Sequence, residues 1–80
     1  MIHHVSINPQ LLIRKIKNEE VVFAGNKKLK IYGALSCSSG KRMKKENRVF
    51  FSSEQEALNN GYRPCGHCMI EKYKIWKKPQ

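Results

Sequence analysis

The chain has 80 residues, with 16 Lys and Arg against six Asp and Glu and a hydrophobic share of 40%. That length holds one domain, residues 1–80, with a thin core, at a size where a metal or disulfides commonly supplement apolar burial. The formal net charge of +10 favours polyanionic partners, and apolar runs such as Leu11-Leu12-Ile13 are far too short to span a bilayer.

In chain order, Met1 to Pro9 carries no apolar export segment, and three cysteines are an odd number. Both features argue against a disulfide framework and set the expectation of a cytoplasmic protein with reduced cysteines and no membrane partner. Asn8-Pro9 reads as an N-cap followed by proline at the first helical position, and Leu12, Ile13 and Ile16 give the helix over about 9–17 an apolar stripe. Val21 to Ala24 and Leu29 to Tyr32 read as two strands joined by a tight turn at Gly25-Asn26-Lys27-Lys28. Residues 33–45 have no period and read as a loop, and Arg48-Val49-Phe50-Phe51 as a third short strand. Ser53 and Glu56 have capping-box spacing and open a helix that stops at Asn60-Gly61. Met69, Tyr73 and Trp76 then give a last helix one apolar face. The expected fold class is α+β, a short three-stranded antiparallel sheet with about three helices. Tyr32, Phe50, Phe51, Tyr62 and Trp76 are expected in the core, and His3 and His4 in a mobile N-terminal tail.

The chemistry concentrates around Cys65-Gly66-His67-Cys68. A C-x2-C turn at the start of a helix holds two thiolates close enough to share one zinc, and the helix amides stabilise anionic sulfur. Cys37, 28 residues before Cys65 in a polar loop, suits a third ligand better than a packing role. The expected set is Cys37, Cys65 and Cys68 around one zinc per chain, with water, His3, His4 or His67 open as the fourth ligand. His67 itself reads more simply as an exposed side chain at the helix start. The same tetrapeptide occurs at disulfide-isomerase sites, but a thioredoxin-type fold needs two strands and a helix after it, and only twelve residues follow Cys68. The cations cluster at Lys27, Lys28 and Lys30, at Lys41, Arg42, Lys44, Lys45 and Arg48, and at Lys72, Lys74, Lys77 and Lys78. Three clusters on so small a body point to nucleic-acid contact.

From Ile31 onward the chain resembles the zinc-binding N-terminal domain of the bacterial Ada DNA-repair protein. The family's core reads roughly as an aromatic, Cys-x3-Cys, a basic stretch, Glu-Asn, a short aromatic strand, Glu-Ala-Leu and Gly-aromatic-Arg-Pro-Cys-x2-Cys. Here the matching residues are Ile31-Tyr32, Cys37, Glu46-Asn47-Arg48-Val49-Phe50-Phe51, Glu56-Ala57-Leu58 and Gly61-Tyr62-Arg63-Pro64-Cys65 with Cys68. The resemblance is strongest over residues 31–68 and implies a small α+β fold, a zinc ion and DNA-backbone contact. The family uses four cysteines and transfers a methyl group from a DNA phosphotriester onto the first of its Cys-x3-Cys. Aligned on Ile31-Tyr32 and Cys37, that first position falls on Gly33, so the resemblance implies a module without its methyl acceptor.

The expected function is therefore zinc binding with non-specific contact to the DNA backbone through Arg42, Lys44, Lys45, Arg48 and Arg63, the cations flanking the metal loops, in a monomer. Two alternatives belong to other classes: methyl transfer to a zinc-bound Cys37, and a protein-partner adaptor. A metal enzyme with an open water position would need a carboxylate near the metal, and Glu46 and Glu71, the nearest in sequence, read as solvated surface charges.

Overall fold

The computed structural model describes residues 1–36 and 43–77. One sheet holds β1 (Ile2–His3), β2 (Phe23–Asn26), β3 (Ile31–Ala34), β4 (Arg48–Phe51) and β5 (Arg63–Pro64), in the spatial order β1-β4-β2-β3-β5. Among the described residues three helices accompany it: α1 (Pro9–Lys17), α2 (Glu54–Asn59) and α3 (Ile70–Lys77), with short 3-10 turns at His4–Ser6 and Lys45–Asn47. The class is α+β as expected, but the sheet has five strands rather than three and is mixed, because β5 runs parallel to β3. The two extra strands are two residues long, too short to show any period in a sequence.

Alternation along the strands divides the core in two. On one face Val49 and Phe51 meet Tyr32, Ala57 of α2 and Tyr62, with Phe23 and Met69 packed against them. On the other face Phe50 and Ala24 meet Leu12 of α1 and Val21, flanked by Ile2, Ile7 and Leu35. Tyr32, Phe50, Phe51 and Tyr62 are buried as expected, whereas Trp76 is 53% exposed and is not core.

The hairpin forms two residues later than the sequence suggests. Asn26 sits at the end of β2, and its Oδ1 accepts hydrogen bonds from the backbone N–H of Lys28 (3.0 Å) and Leu29 (3.1 Å). Lys30 closes the turn at a φ of 58°. The reversal therefore occupies residues 27–30, and Gly25 belongs to the sheet. The reason lies at Gly25 itself: a Cβ there would stand 2.9 Å from Phe51 and 3.2 Å from Tyr62, so the missing side chain is what lets those rings close over β2.

The N-terminal histidines are also placed otherwise than expected. His3 lies in β1 opposite Val49, and the His4 ring meets Phe50 edge-on at 5.3 Å. Burial, with Arg48 and Lys45 nearby, pushes the His4 imidazole below its ordinary pKa. Among the described residues no helix is long and apolar enough to cross a membrane.

Candidate metal centre and cationic sheet end

Cys65 leaves β5 one residue after Pro64, and its N–H donates to the Tyr32 carbonyl at 2.8 Å. Because the parallel register pairs Tyr32 with Pro64, Gly33 comes to rest beside Cys65. The turn then brings Cys68 back over the same spot. The His67 N–H donates to Cys65 Sγ at 3.4 Å, and the Met69 N–H to the Cys65 carbonyl at 3.0 Å, which closes the C-x2-C turn ahead of α3.

Gly33 is the decisive position. A Cβ built on it would lie 2.7 Å from Cys68 Sγ and 3.2 Å from the Cys65 Cβ. A side chain at 33 would therefore run into the sulfur pair, and the glycine is what lets Cys68 Sγ occupy that place. Cys37, the expected third ligand, lies outside the described residues, as do Arg42 and Lys41. Among the described residues no group of three His, Cys, Asp or Glu side chains could hold a metal. Two sulfur donors with an amide on one of them suit a soft metal held by thiolates, to which Cys37 would add a third sulfur. The sheet order sets His3 and His4 apart from this centre. β1 and β5 are opposite edges, four strand spacings or about 19 Å apart. His67 is exposed and borders, with Ala24, Asn26, Ile31, Gly33 and Met43, a cleft of about 380 Å3 beside the sulfurs.

The family comparison agrees with this geometry. A model of the metal-binding domain of Ada matches residues 10–70. The chain belongs to the Ada metal-binding domain family. Its membership implies zinc, and the match begins in α1 and ends at the first residue of α3, so it covers both the Gly33 position and the C-x2-C turn. No curated protein and no solved structure matches the chain.

Of the cations expected to flank the metal loops in this Ada-family domain, those among the described residues are distributed along one end of the sheet. Arg48 of β4 pairs with Asn26, Asn26 with Ile31, and Ile31 with Arg63 of β5, so the two arginines terminate a single row about 14 Å wide. Between them projects the turn carrying Lys27, Lys28 and Lys30, and the Lys27 N–H reaches the Asn47 carbonyl at 2.7 Å. Lys44 and Lys45 lie exposed at the 3-10 turn leading into β4. Arg48 is half-buried with its guanidinium 5.2 Å over the Phe50 ring, and burial pulls its pKa down from the arginine value. Arg63 donates from Nη1 to the Pro64 carbonyl at 3.0 Å. The sequence marks Lys27, Lys28 and Lys30 as a basic cluster. Only the hairpin register, with its reversal at 27–30, shows that they join Arg48 and Arg63.

Proposed function

We propose that this domain is a zinc-stapled module that grips the phosphate backbone of DNA without accepting a methyl group. The observation that carries the reading is the cationic sheet end, where Lys27, Lys28, Lys30, Lys44, Lys45, Arg48 and Arg63 share one edge of the body. Cations spaced along a strip meet successive phosphates, and phosphate contacts position a protein without reading sequence. Zinc, held by Cys37, Cys65 and Cys68 and one per chain, supplies a cross-link between the segment that carries Cys37 and the turn before α3. It has no further role in this reading. The loss of methyl acceptance rests on Gly33. The place into which a side chain would have to reach to join Cys65 and Cys68 is held by a residue with no atom able to attack a methyl carbon.

One set of measurements tests both parts. Duplex DNA carrying methyl phosphotriesters is titrated with the zinc-loaded protein across a salt series, and the protein mass is read afterwards. Neutralising about four phosphates gives a slope of log K against log salt of about −3.6. Lys44→Glu with Lys45→Glu should weaken binding and flatten that slope. The protein mass should stay unchanged. No complex at about 50 mM salt would remove the DNA reading and leave the adaptor. A gain of about 14 Da, one methyl in place of one proton on sulfur, would instead restore transfer to Cys37.

A further inference from the structure

Helix α3 does not bury the face that its spacing predicts. None of its residues is buried; Trp76 is 53% exposed and Ile75 73% exposed. The exposed indole is nevertheless held in a defined arrangement. Its ring stacks on Tyr73 with centroids 6.0 Å apart and planes 22° from parallel. The Arg63 guanidinium lies 5.0 Å from the Tyr73 centroid and 5.6 Å from that of Trp76. Lys77 Nζ stands 5.8 Å from the Tyr73 centroid. Trp76 also borders, with Leu58, Pro64 and Ile75, a largely apolar cleft of about 330 Å3 between α2 and α3, whose wall includes the paired Glu54 and Lys72.

A packing role would bury the indole, and a purely solvating helix would not carry it. We propose that α3 presents Trp76 as a stacking platform for an unpaired base of single-stranded DNA, with the cleft receiving the base and Arg63 and Lys77 meeting its flanking phosphates. Every base has a π-face, so stacking tolerates sequence, while the cations supply the attraction to the backbone. Lys72 is not counted among them, because Glu54 engages it at 2.6 and 2.7 Å. The charge of the patch favours nucleic acid over an apolar protein partner. A duplex keeps its base faces inside its own stack, so Trp76 discriminates single strands from duplexes where the cationic sheet end does not. The inference rests on the backbone-binding reading for its phosphate contacts and adds to it the preferred form of the ligand.

Trp76 is the chain's single tryptophan, so the protein's indole fluorescence reports on this site alone. The zinc-loaded full chain is titrated with a twelve-nucleotide oligothymidylate, with an abasic strand of equal phosphate number, and with a duplex closed by a hairpin at each end. The oligothymidylate should quench the indole, while the abasic strand and the closed duplex should bind without quenching. Trp76→Ala should weaken oligothymidylate binding about 10- to 100-fold and leave duplex binding within about twofold, and Trp76→Phe should recover most of the loss. Oligothymidylate binding without quenching, or equal weakening of both ligands by Trp76→Ala, would overturn the platform and leave the backbone reading standing. Failure of all three ligands to bind at low salt would overturn both.

Discussion

Gly25 and Gly33 stand on adjacent strands one position out of register, and each omits its side chain for a different reason. At Gly25 the neighbours of a new Cβ are a ring of Phe51 at 2.9 Å and the backbone carbonyl of Ile31 at 3.1 Å, neither able to retreat far within the core. At Gly33 the tightest neighbour is the Sγ of Cys68 at 2.7 Å, the end of a side chain that can turn, and the backbone there is ordinary strand. Gly25→Ala should therefore overpack the core by about 1–3 kcal/mol and lower Tm by about 5–20 °C. Gly33→Cys, measured with metal bound, should hold its Tm within a few degrees of the parent and add a fourth sulfur, visible as a stronger thiolate-to-cobalt absorption in the cobalt-substituted protein. Equal losses of Tm in the two variants would show that Cys68 cannot turn aside and that position 33, too, is a packing glycine.

Among the elements, those with a chemical start signal were legible and those defined only by pairing were not. α1 begins where Asn8-Pro9 says it should, with Asn8 Oδ1 accepting from the N–H of Gln10 (2.8 Å) and Leu11 (3.3 Å). α2 opens at Ser53, whose Oγ accepts from the Glu56 N–H at 3.1 Å, although the Glu56 carboxylate turns to the Ser52 N–H and the Met1 ammonium instead of closing the box. β1 and β5 have no signal of their own, since two residues become a strand only through the neighbour they meet. Among the described residues a carboxylate links α2 to α3. Glu54 of α2 accepts from the Tyr32 hydroxyl of β3 at 2.8 Å and from Lys72 of α3, which together hold its pKa below the usual 4.5, Lys72 contributing most. A carboxylate whose folded pKa is depressed contributes stability above its unfolded value and loses it as pH falls through the folded value. Lys72 is half exposed, so solvent screens the ion pair and the total contribution is about 1 kcal/mol. Glu54→Gln should therefore lower stability by about that amount at pH 7, and denaturant curves of the two proteins should converge only as pH falls through the depressed folded value, below which the parent is protonated as well. A difference that stays constant through the whole acid range in which the protein is folded would mean that shape, not charge, matters at this position.

At the scale of the whole molecule the core lies on two sides of one sheet, and the C-terminal part is attached at one edge of it. Among the described residues, 63–77 meet the rest through contacts that include a two-residue parallel ladder, the half-buried Met69 and the Glu54–Lys72 pair, and α3 buries no residue. The sulfur centre sits at that junction, between Gly33 of β3 and the turn ahead of α3. Its cysteines could be read from the C-x2-C spacing, because metal-ligand spacing is a local property of the chain. The joining of Lys27, Lys28 and Lys30 to Arg48 and Arg63 could not, because it depends on where the hairpin reverses. Nor could the exposure of Trp76, which follows from α3 packing through Met69 and Tyr73 at its start while its end stands clear. A metal placed at this junction converts binding free energy into attachment of the C-terminal part. Chelation should therefore lower Tm by more than about 10 °C and release the amides of residues 63–77 to hydrogen exchange before those of β2 and β4, which are paired on both sides. Cys65→Ser should reproduce both effects without chelator. Unchanged protection across α3 after complete metal removal would show that the ladder and the Glu54–Lys72 pair suffice, and that the metal serves some purpose other than holding the domain together.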